Sequence, residues 1–260
     1  MKNASETVLV TGASSGIGLE LARTFAEAGC RLVLVSRRKE VLQAIASDLG
    51  KKHGVEVAVF ACDLSRPNDS LSLFKQVKDS GWHVDVLVNN AGFGLMGEFT
   101  QLALDRQMEM VQVNVASLVH LTHLFLPAML ERRQGGVINV GSVAGFLPGP
   151  NMAVYYATKA FVLSFTEALA AETAGSGVRV SVLCPGPTET NFGQVARGGR
   201  PRKRERKKMG GQEVAQAGVT AYRKGRVIAV PGWSNQWLVQ STRFLPRWLV
   251  RAVVSRYNRF

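Results

Sequence analysis

Seven short runs of β-branched and other apolar residues punctuate the chain: 7–11 (TVLVT), 31–35 (RLVLV), 55–60 (VEVAVF), 84–88 (VDVLV), 136–140 (GVINV), 178–183 (VRVSVL) and 226–230 (RVIAV). They are nearly continuous in apolar character rather than strictly alternating. Strands covered by helices on both faces have this pattern, so the runs predict a parallel sheet. Between them, residues 17–28, 39–53, 67–80, 102–131 and 153–174 carry helical periodicity. Strand and helix in alternation predict an α/β fold: a doubly wound, seven-stranded parallel sheet with right-handed crossovers that put helices on both faces. Ligands of such sheets bind at the carboxyl ends of the strands, so the residues just after each strand are the ones to read for function.

The first strand runs into Thr11-Gly12-Ala13-Ser14-Ser15-Gly16-Ile17-Gly18 and then a helix. On its own this is a tight strand-to-helix turn. It is also a pyrophosphate cradle, because helix-start amides face a ligand there and glycine lets backbone and phosphate approach closely. Ser36-Arg37-Arg38-Lys39 follows the second strand, where an acidic residue would hold the ribose hydroxyls of NAD. Cations at a helix start oppose the macrodipole and call for an anion, so Arg37 and Arg38 point to a 2′-phosphate and hence to NADP(H). Tyr155 and Lys159 lie four apart, on one face of a predicted helix. A tyrosine is a poor proton donor and acceptor at neutral pH, and a fixed ammonium nearby is expected to bring its pKa down, which makes Tyr155 the candidate general acid. Tyr156, three before the lysine, fails the spacing and reads as packing. Ser142, after the fifth strand, can donate to a carbonyl oxygen as charge develops on it.

The order TGxxxGxG, Asp-Leu, NNAG, Asn, Ser, YxxxK across residues 11–159, extended by Cys184-Pro185-Gly186-Pro187-Thr188-Glu189-Thr190, resembles the short-chain dehydrogenase/reductase family over about residues 7–232. The resemblance implies a cofactor site of Gly12, Ser14, Ser15, Gly16, Ile17 and Gly18 in the loop, with Asp63 and Leu64 at the adenine. Asn90, Ala91 and Gly92 would back the cofactor, with Val113 nearby, and Pro185, Gly186, Thr188 and Thr190 would reach the nicotinamide amide and phosphates. It also implies a catalytic set of Asn114, Ser142, Tyr155 and Lys159, in which Lys159 holds the ribose hydroxyls and Asn114 positions a water. The activity implied is NADPH-dependent interconversion of a carbonyl and a secondary alcohol by hydride transfer. The helices at 102–131 and 153–174 carry the family's subunit contacts, so a homo-oligomer, dimer or tetramer, is expected.

Composition refines this picture. The 260 residues, 46% hydrophobic, suffice for one domain with a sizeable core. The domain is read as 1–232, a dinucleotide-binding and catalytic unit with a basic lid loop at 193–210, followed by a C-terminal basic amphipathic extension at 233–260. Residues 1–196 hold 16 basic and 17 acidic side chains, whereas 197–260 hold 16 and 2. The loop from Arg197 to Lys208 reads as a solvated segment, as a recruiter of an anionic thioester carrier, or as a nucleic-acid patch. No aromatic residue interleaves its charges, so nucleic acid is not expected as a partner. In the extension, Arg243, Arg247 and Arg251 recur among apolar residues, either as a helix packed on its own domain or a partner, or as a peripheral membrane contact with Trp233, Trp237 and Trp248 at the interface. Substrates that partition into lipid would suit such a membrane contact, which points to a hydrophobic or acyl-chain substrate, and Phe93, Leu95, Met96, Phe146, Leu147 and Phe192 make the substrate pocket largely apolar.

Cys30, Cys62 and Cys184 lack CxxC spacing and read as reduced core thiols. With no long apolar segment at the start and no run of 18 apolar residues, neither export nor a membrane span is expected, and a cytoplasmic location is. His120 and His123 lack a third ligand at suitable spacing, so no metal is expected. Two function classes fit these features: an NADPH-dependent carbonyl reductase or alcohol dehydrogenase acting on a small-molecule carbonyl or alcohol, and an NADPH-binding sensor or scaffold with a basic membrane- or partner-binding tail.

Overall fold

The computed structural model describes residues 6–199 and 208–258. Its centre is one seven-stranded parallel sheet: β1 (Thr7–Thr11), β2 (Arg31–Ser36), β3 (Val57–Ala61), β4 (Val86–Asn89), β5 (Gly136–Val140), β6 (Arg179–Leu183) and β7 (Ile228–Ala229). The strand order is β3-β2-β1-β4-β5-β6-β7. The order reverses between β1 and β4, and their carboxyl ends open the crevice where ligands bind in such sheets. β7 is the short edge: only Ile228 and Ala229 pair, with Val182 and Leu183, before Pro231-Gly232 turns the chain away.

Successive strand residues face opposite sides, which builds two cores. Val8, Val10, Leu32, Leu34, Val86 and Val88 pack against α1 (Gly16–Glu27), α2 (Lys39–His53) and α8 (Gly211–Arg223). Leu9, Val33, Leu87, Val137 and Val180 pack against α3 (Asp69–Asp79) and α5 (Ser117–Arg132), while Val162 and Leu163 of α6 (Ala153–Glu172) meet Val182 on this second side. Buried side-chain bonds tie this face together. Asn89 Nδ2 donates to Asn139 Oδ1 (2.9 Å) and to Thr122 Oγ1 (3.0 Å), and Asn139 Nδ2 donates to Thr166 Oγ1 (2.9 Å).

The segment expected as one helix at 102–131 is helical over Leu104–Arg132, with a π-helical turn in its middle. A helix α4 (Leu104–Val111) leads into a π-helical turn, Gln112–Ala116, and only then into α5. Taken together, Leu104–Arg132 is long and apolar enough to cross a membrane, although the sequence showed no continuous apolar run of that length. Leu121, Phe125 and Met129 bury its apolar face against the sheet, as a core helix does. The chain ends in α7 (Phe192–Ala196), α8, α9 (Trp233–Ser241) and α10 (Arg247–Tyr257). Pro246 stands at the N-cap of α10, so the helix expected among the arginines begins only after it. Most of the basic loop, residues 200–207, lies outside the described residues.

Candidate active site

At the switch point the glycine loop closes on Asn90. Asn90 Nδ2 donates to the Thr11 carbonyl (2.8 Å), while the amides of Asn90 and Ala91 both donate to Thr11 Oγ1 (3.0 Å each). The loop packs so tightly that a Cβ on Gly18 would lie 2.3 Å from Asn90 Nδ2 and 2.5 Å from the Gly12 carbonyl oxygen. Gly12 and Gly16 take φ of +65° and +59°, the left-handed region that glycine enters without penalty. Ser15, the N-cap of α1, makes no side-chain capping bond, and the first turn of a helix leaves its amides without intrahelical partners. Ile17 continues that turn, and Thr190 packs its methyl 3.4 Å from where a Gly16 Cβ would stand. These features fit a dinucleotide pyrophosphate.

At the end of β2, Arg38 reaches back over this loop. Its Nη2 donates to Ser14 Oγ (2.9 Å), Ser15 Oγ (3.1 Å) and the Ser14 carbonyl (3.2 Å). Arg37 is exposed and lies 4.0 Å from Asp63 Oδ1 and 3.9 Å from Glu109 Oε1, separations at which such pairs bind weakly. Partial burial pushes the Asp63 carboxyl up, but the Ser65 hydroxyl and amide, with Arg37, outweigh it and hold the group below the usual aspartate range. Leu64 beside it is buried in the core.

The catalytic candidates come together from three elements: the π-helical turn, the turn after β5 and α6. Ser142 caps the short turn Val143–Phe146, accepting from the Ala144 amide (3.1 Å) and donating to the Pro185 carbonyl (3.4 Å), and its hydroxyl lies near enough to Tyr155 to favour the ionised phenol. Lys159 Nζ donates to the Val140 carbonyl (2.7 Å) at the end of β5 and stands 6.0 Å from the Tyr155 ring centroid. Asn114 sits in the π-helical turn and is buried. Its Nδ2 donates to the Phe93 carbonyl (2.9 Å) and Thr158 Oγ1 (3.1 Å), and its Oδ1 accepts from the Phe93 amide (3.1 Å). Turns of this kind recur at functional sites because the extra residue re-aims a side chain. Here Asn114 joins the loop after β4 to α6, and a Cβ on Gly92 would lie 3.0 Å from its Oδ1. The neighbouring Val113 carbonyl is taken by the Ser117 hydroxyl (2.7 Å).

The electrostatics differ from the sequence expectation. Burial pushes the Tyr155 phenol above its usual value, with the Ser142 hydroxyl acting the other way. Burial also pushes Lys159 down to about 8. The expected lowering of Tyr155 by Lys159 is not found: the ammonium is turned onto the Val140 carbonyl, and desolvation dominates the phenol.

Around Tyr155 the walls are apolar. Phe192 lies 5.3 Å from it, ring to ring, and Met152, Phe93, Leu95, Met96 and Leu147 belong to the same cluster. Phe146, expected in the pocket, packs instead with Val162 and Val182. After β6, Pro185 serves as an acceptor as described, and Thr188 Oγ1 donates to the Gly186 carbonyl (3.0 Å).

Sequence reading missed three residues. Thr158 is hidden inside the YYATK run; its hydroxyl donates to the Tyr155 carbonyl (2.7 Å) while accepting from Asn114. Asn235 of α9 packs on Gly186, where a Cβ would meet its Oδ1 at 2.3 Å. Asn258, buried after α10, donates to the Pro150 carbonyl (2.9 Å) and bonds the Tyr156 hydroxyl (3.4 Å), and its own carbonyl accepts from Asn151 Nδ2 (3.4 Å). The only local signal for Asn258 is a polar residue ending an apolar helix. Cys30, Cys62 and Cys184 are free thiols that burial pushes up to about 11, 12 and 12. Among the described residues no three His, Cys, Asp or Glu side chains gather around a metal-sized space.

The family model described as short chain dehydrogenase matches residues 6–200. A protein of Chromohalobacter salexigens named sulfoacetaldehyde reductase 2 is 40% identical over 197 residues, 75% of this chain and 77% of that protein. The solved short-chain dehydrogenase from Sphingobium yanoikuyae in complex with NADPH has a TM-score of 0.83 and 32% identity, covering 92% of this chain and 93% of that one. A short-chain dehydrogenase/reductase from Burkholderia phymatum in complex with NAD has a TM-score of 0.80 and 26% identity, covering 92% and 93%.

Proposed function

The chain belongs to the short-chain dehydrogenase family of oxidoreductases acting between alcohol and carbonyl, and we propose that it uses NADPH to reduce a hydrophobic or acyl-chain carbonyl compound. The observation that carries the cofactor choice is the pair of arginines ending β2, with the Arg38 fork laid over Ser14 and Ser15. These are cationic and hydroxyl donors suited to a 2′-phosphate, and the run Ser36-Arg37-Arg38-Lys39 at the end of β2 holds no carboxylate to meet a ribose hydroxyl. The similar Sphingobium yanoikuyae structure holds NADPH and the Burkholderia phymatum one NAD, so the arginines support the choice rather than the fold. The apolar ring around Tyr155 supports the substrate class.

Bound NADPH supplies the hydride. Ser142 donates a hydrogen bond to the carbonyl oxygen, and Tyr155, held protonated by burial, delivers the proton that makes the alcohol. Lys159 would hold the ribose hydroxyls and relay a proton from solvent to re-protonate Tyr155, while Asn114 keeps the Phe93 loop and α6 in register. A cytoplasmic location is part of the same proposal, as is a homo-oligomer formed through α4 and α6, where Leu104, Met108 and Phe161 are exposed.

The test follows NADPH and NADH oxidation against aliphatic, aromatic, steroid and acyl-thioester ketones. Tyr155→Phe is expected to lower kcat by about 10²–10⁴-fold with NADPH affinity nearly unchanged. Robust residual turnover would remove Tyr155 from its role. Arg37→Ala should raise KM for NADPH about tenfold or more while leaving that for NADH almost unchanged; equal effects would remove the phosphate argument. Tight NADPH binding with no carbonyl reduced would favour the sensor or scaffold class.

A further inference from the structure

Residues 233–258 contain four arginines and no acidic residue. They form α9 and α10, whose large apolar side chains point in two directions. Inward, Val250 and Val254 are buried in the cluster that holds Tyr155 and Met152. Outward, Trp233 is 76% exposed, Trp237 70%, Phe244 85% and Trp248 64%. Single exposed apolar residues are ordinary, but three indoles and a phenyl ring left in water within 16 residues are not. Trp233 and Trp237, four apart, share one face of α9, and Trp248 leaves α10 on the side away from Val250 and Val254. Arg243, Arg247, Arg251 and Arg256 are exposed between and beside these rings and form no ion pair among the described residues.

We propose that this face docks on an anionic membrane surface, with the aromatic rings at the boundary between headgroups and acyl chains and the arginines on lipid phosphates. Both helices, of 9 and 11 residues, are too short to span a bilayer, so the contact is peripheral. Indole suits this depth because its ring is apolar and its N–H is polar, and arginine keeps its charged end in the headgroup layer while its stem lies along apolar surface. A protein partner of complementary acidity would satisfy the arginines but gives no reason for rings spread over two helices and the turn between them. The inner side of α10 walls the apolar cluster around Tyr155, so docking would set that cluster beside the lipid. The inference rests on exposure and charge and stands independently of the reductase reading.

The full chain is to be sedimented with sucrose-loaded vesicles of phosphatidylcholine containing about one third phosphatidylglycerol, and with phosphatidylcholine alone. Expected are binding to the anionic vesicles only, loss of binding as salt is raised, and a blue shift of tryptophan emission. Trp237→Ser combined with Trp248→Ser should weaken binding about tenfold or more, and Arg247→Gln combined with Arg251→Gln should weaken it and flatten its salt dependence. Unchanged thermal melting of both variants excludes misfolding as the cause. The proposal is overturned by failure to bind the anionic vesicles. Full binding by the tryptophan variant also overturns it, by assigning the lipid contact to the basic run at 197–208. So does a fall in native mass in that variant without vesicle binding, which would make the face a contact with a second copy.

Discussion

Lys159 carries its ammonium into the interior, 2.7 Å from the Val140 carbonyl, and burial brings its pKa to about 8 against an ordinary 10.5. Folding therefore releases this proton at lower pH than the unfolded chain does. Between those two values the unfolded chain binds more protons, so stability rises with pH through the window; below about 8 both states are charged and the burial penalty is felt in full. The raised Tyr155 works the other way but only above pH 10, where unfolded tyrosine ionises. Comparing urea unfolding near pH 7 and about pH 9.5 should then show wild type gaining on Lys159→Met at the higher pH. A constant difference would mean that Lys159 titrates normally in the fold. The four-residue spacing of Tyr155 and Lys159 was legible in the sequence because it follows from helix geometry. The Val140 carbonyl was not, since that contact joins a strand end to a helix 19 residues on. The requirement for glycine at position 18 was visible as a motif, while its reason, an Asn90 side chain pressed against the turn, lies 72 residues away.

The periodicity located the secondary-structure elements but not their interruptions. Helical spacing continues through Asn114, so 102–131 read as one helix. The π-helical turn within it sets Asn114 against the Phe93 backbone, which offers its side-chain amide a donor and an acceptor at once. The sequence predicts a seventh strand over 226–230, but only Ile228 and Ala229 pair with β6 before Pro231-Gly232 turns the chain away. At the far end, α10 is tied to the start of α6 by Asn258, which reaches Pro150 and Tyr156. Asn258→Ala removes the side-chain donor to the Pro150 carbonyl and its contact with the Tyr156 hydroxyl, and should lower stability by about 1–3 kcal/mol in chemical denaturation. Because Met152 and Tyr155 lie between the two positions that Asn258 holds, KM for an apolar carbonyl should rise more than kcat falls. Wild-type stability in the variant would show that the contact contributes nothing.

Across the whole molecule, the charge is divided as the sequence showed: a near-neutral first three quarters and a strongly basic remainder. In three dimensions the described part of that remainder closes the apolar side of the site from within and exposes aromatic rings outside. On α4 and α6 a separate apolar surface, with Phe161 42% exposed and ring-stacked on Phe165, is the one proposed for assembly with other copies. Phe161→Glu should shift the native mass in analytical ultracentrifugation towards a smaller species while the melting profile keeps its cooperativity. An unchanged mass would place any assembly on another face.

The sequence by itself determined the fold class, the family, the cradle after β1 and the order of the candidate catalytic residues. Each of these rests on local periodicity, on glycine where only glycine fits, or on spacing within one element. Tertiary structure alone decided the direction of the Tyr155 and Lys159 shifts, the bracing of the site by Asn114, Thr158 and Asn258, and the inward and outward faces of the C-terminal extension. Those depend on burial and on hydrogen bonds between residues tens to more than a hundred positions apart, and no local pattern records which distant groups folding will bring together.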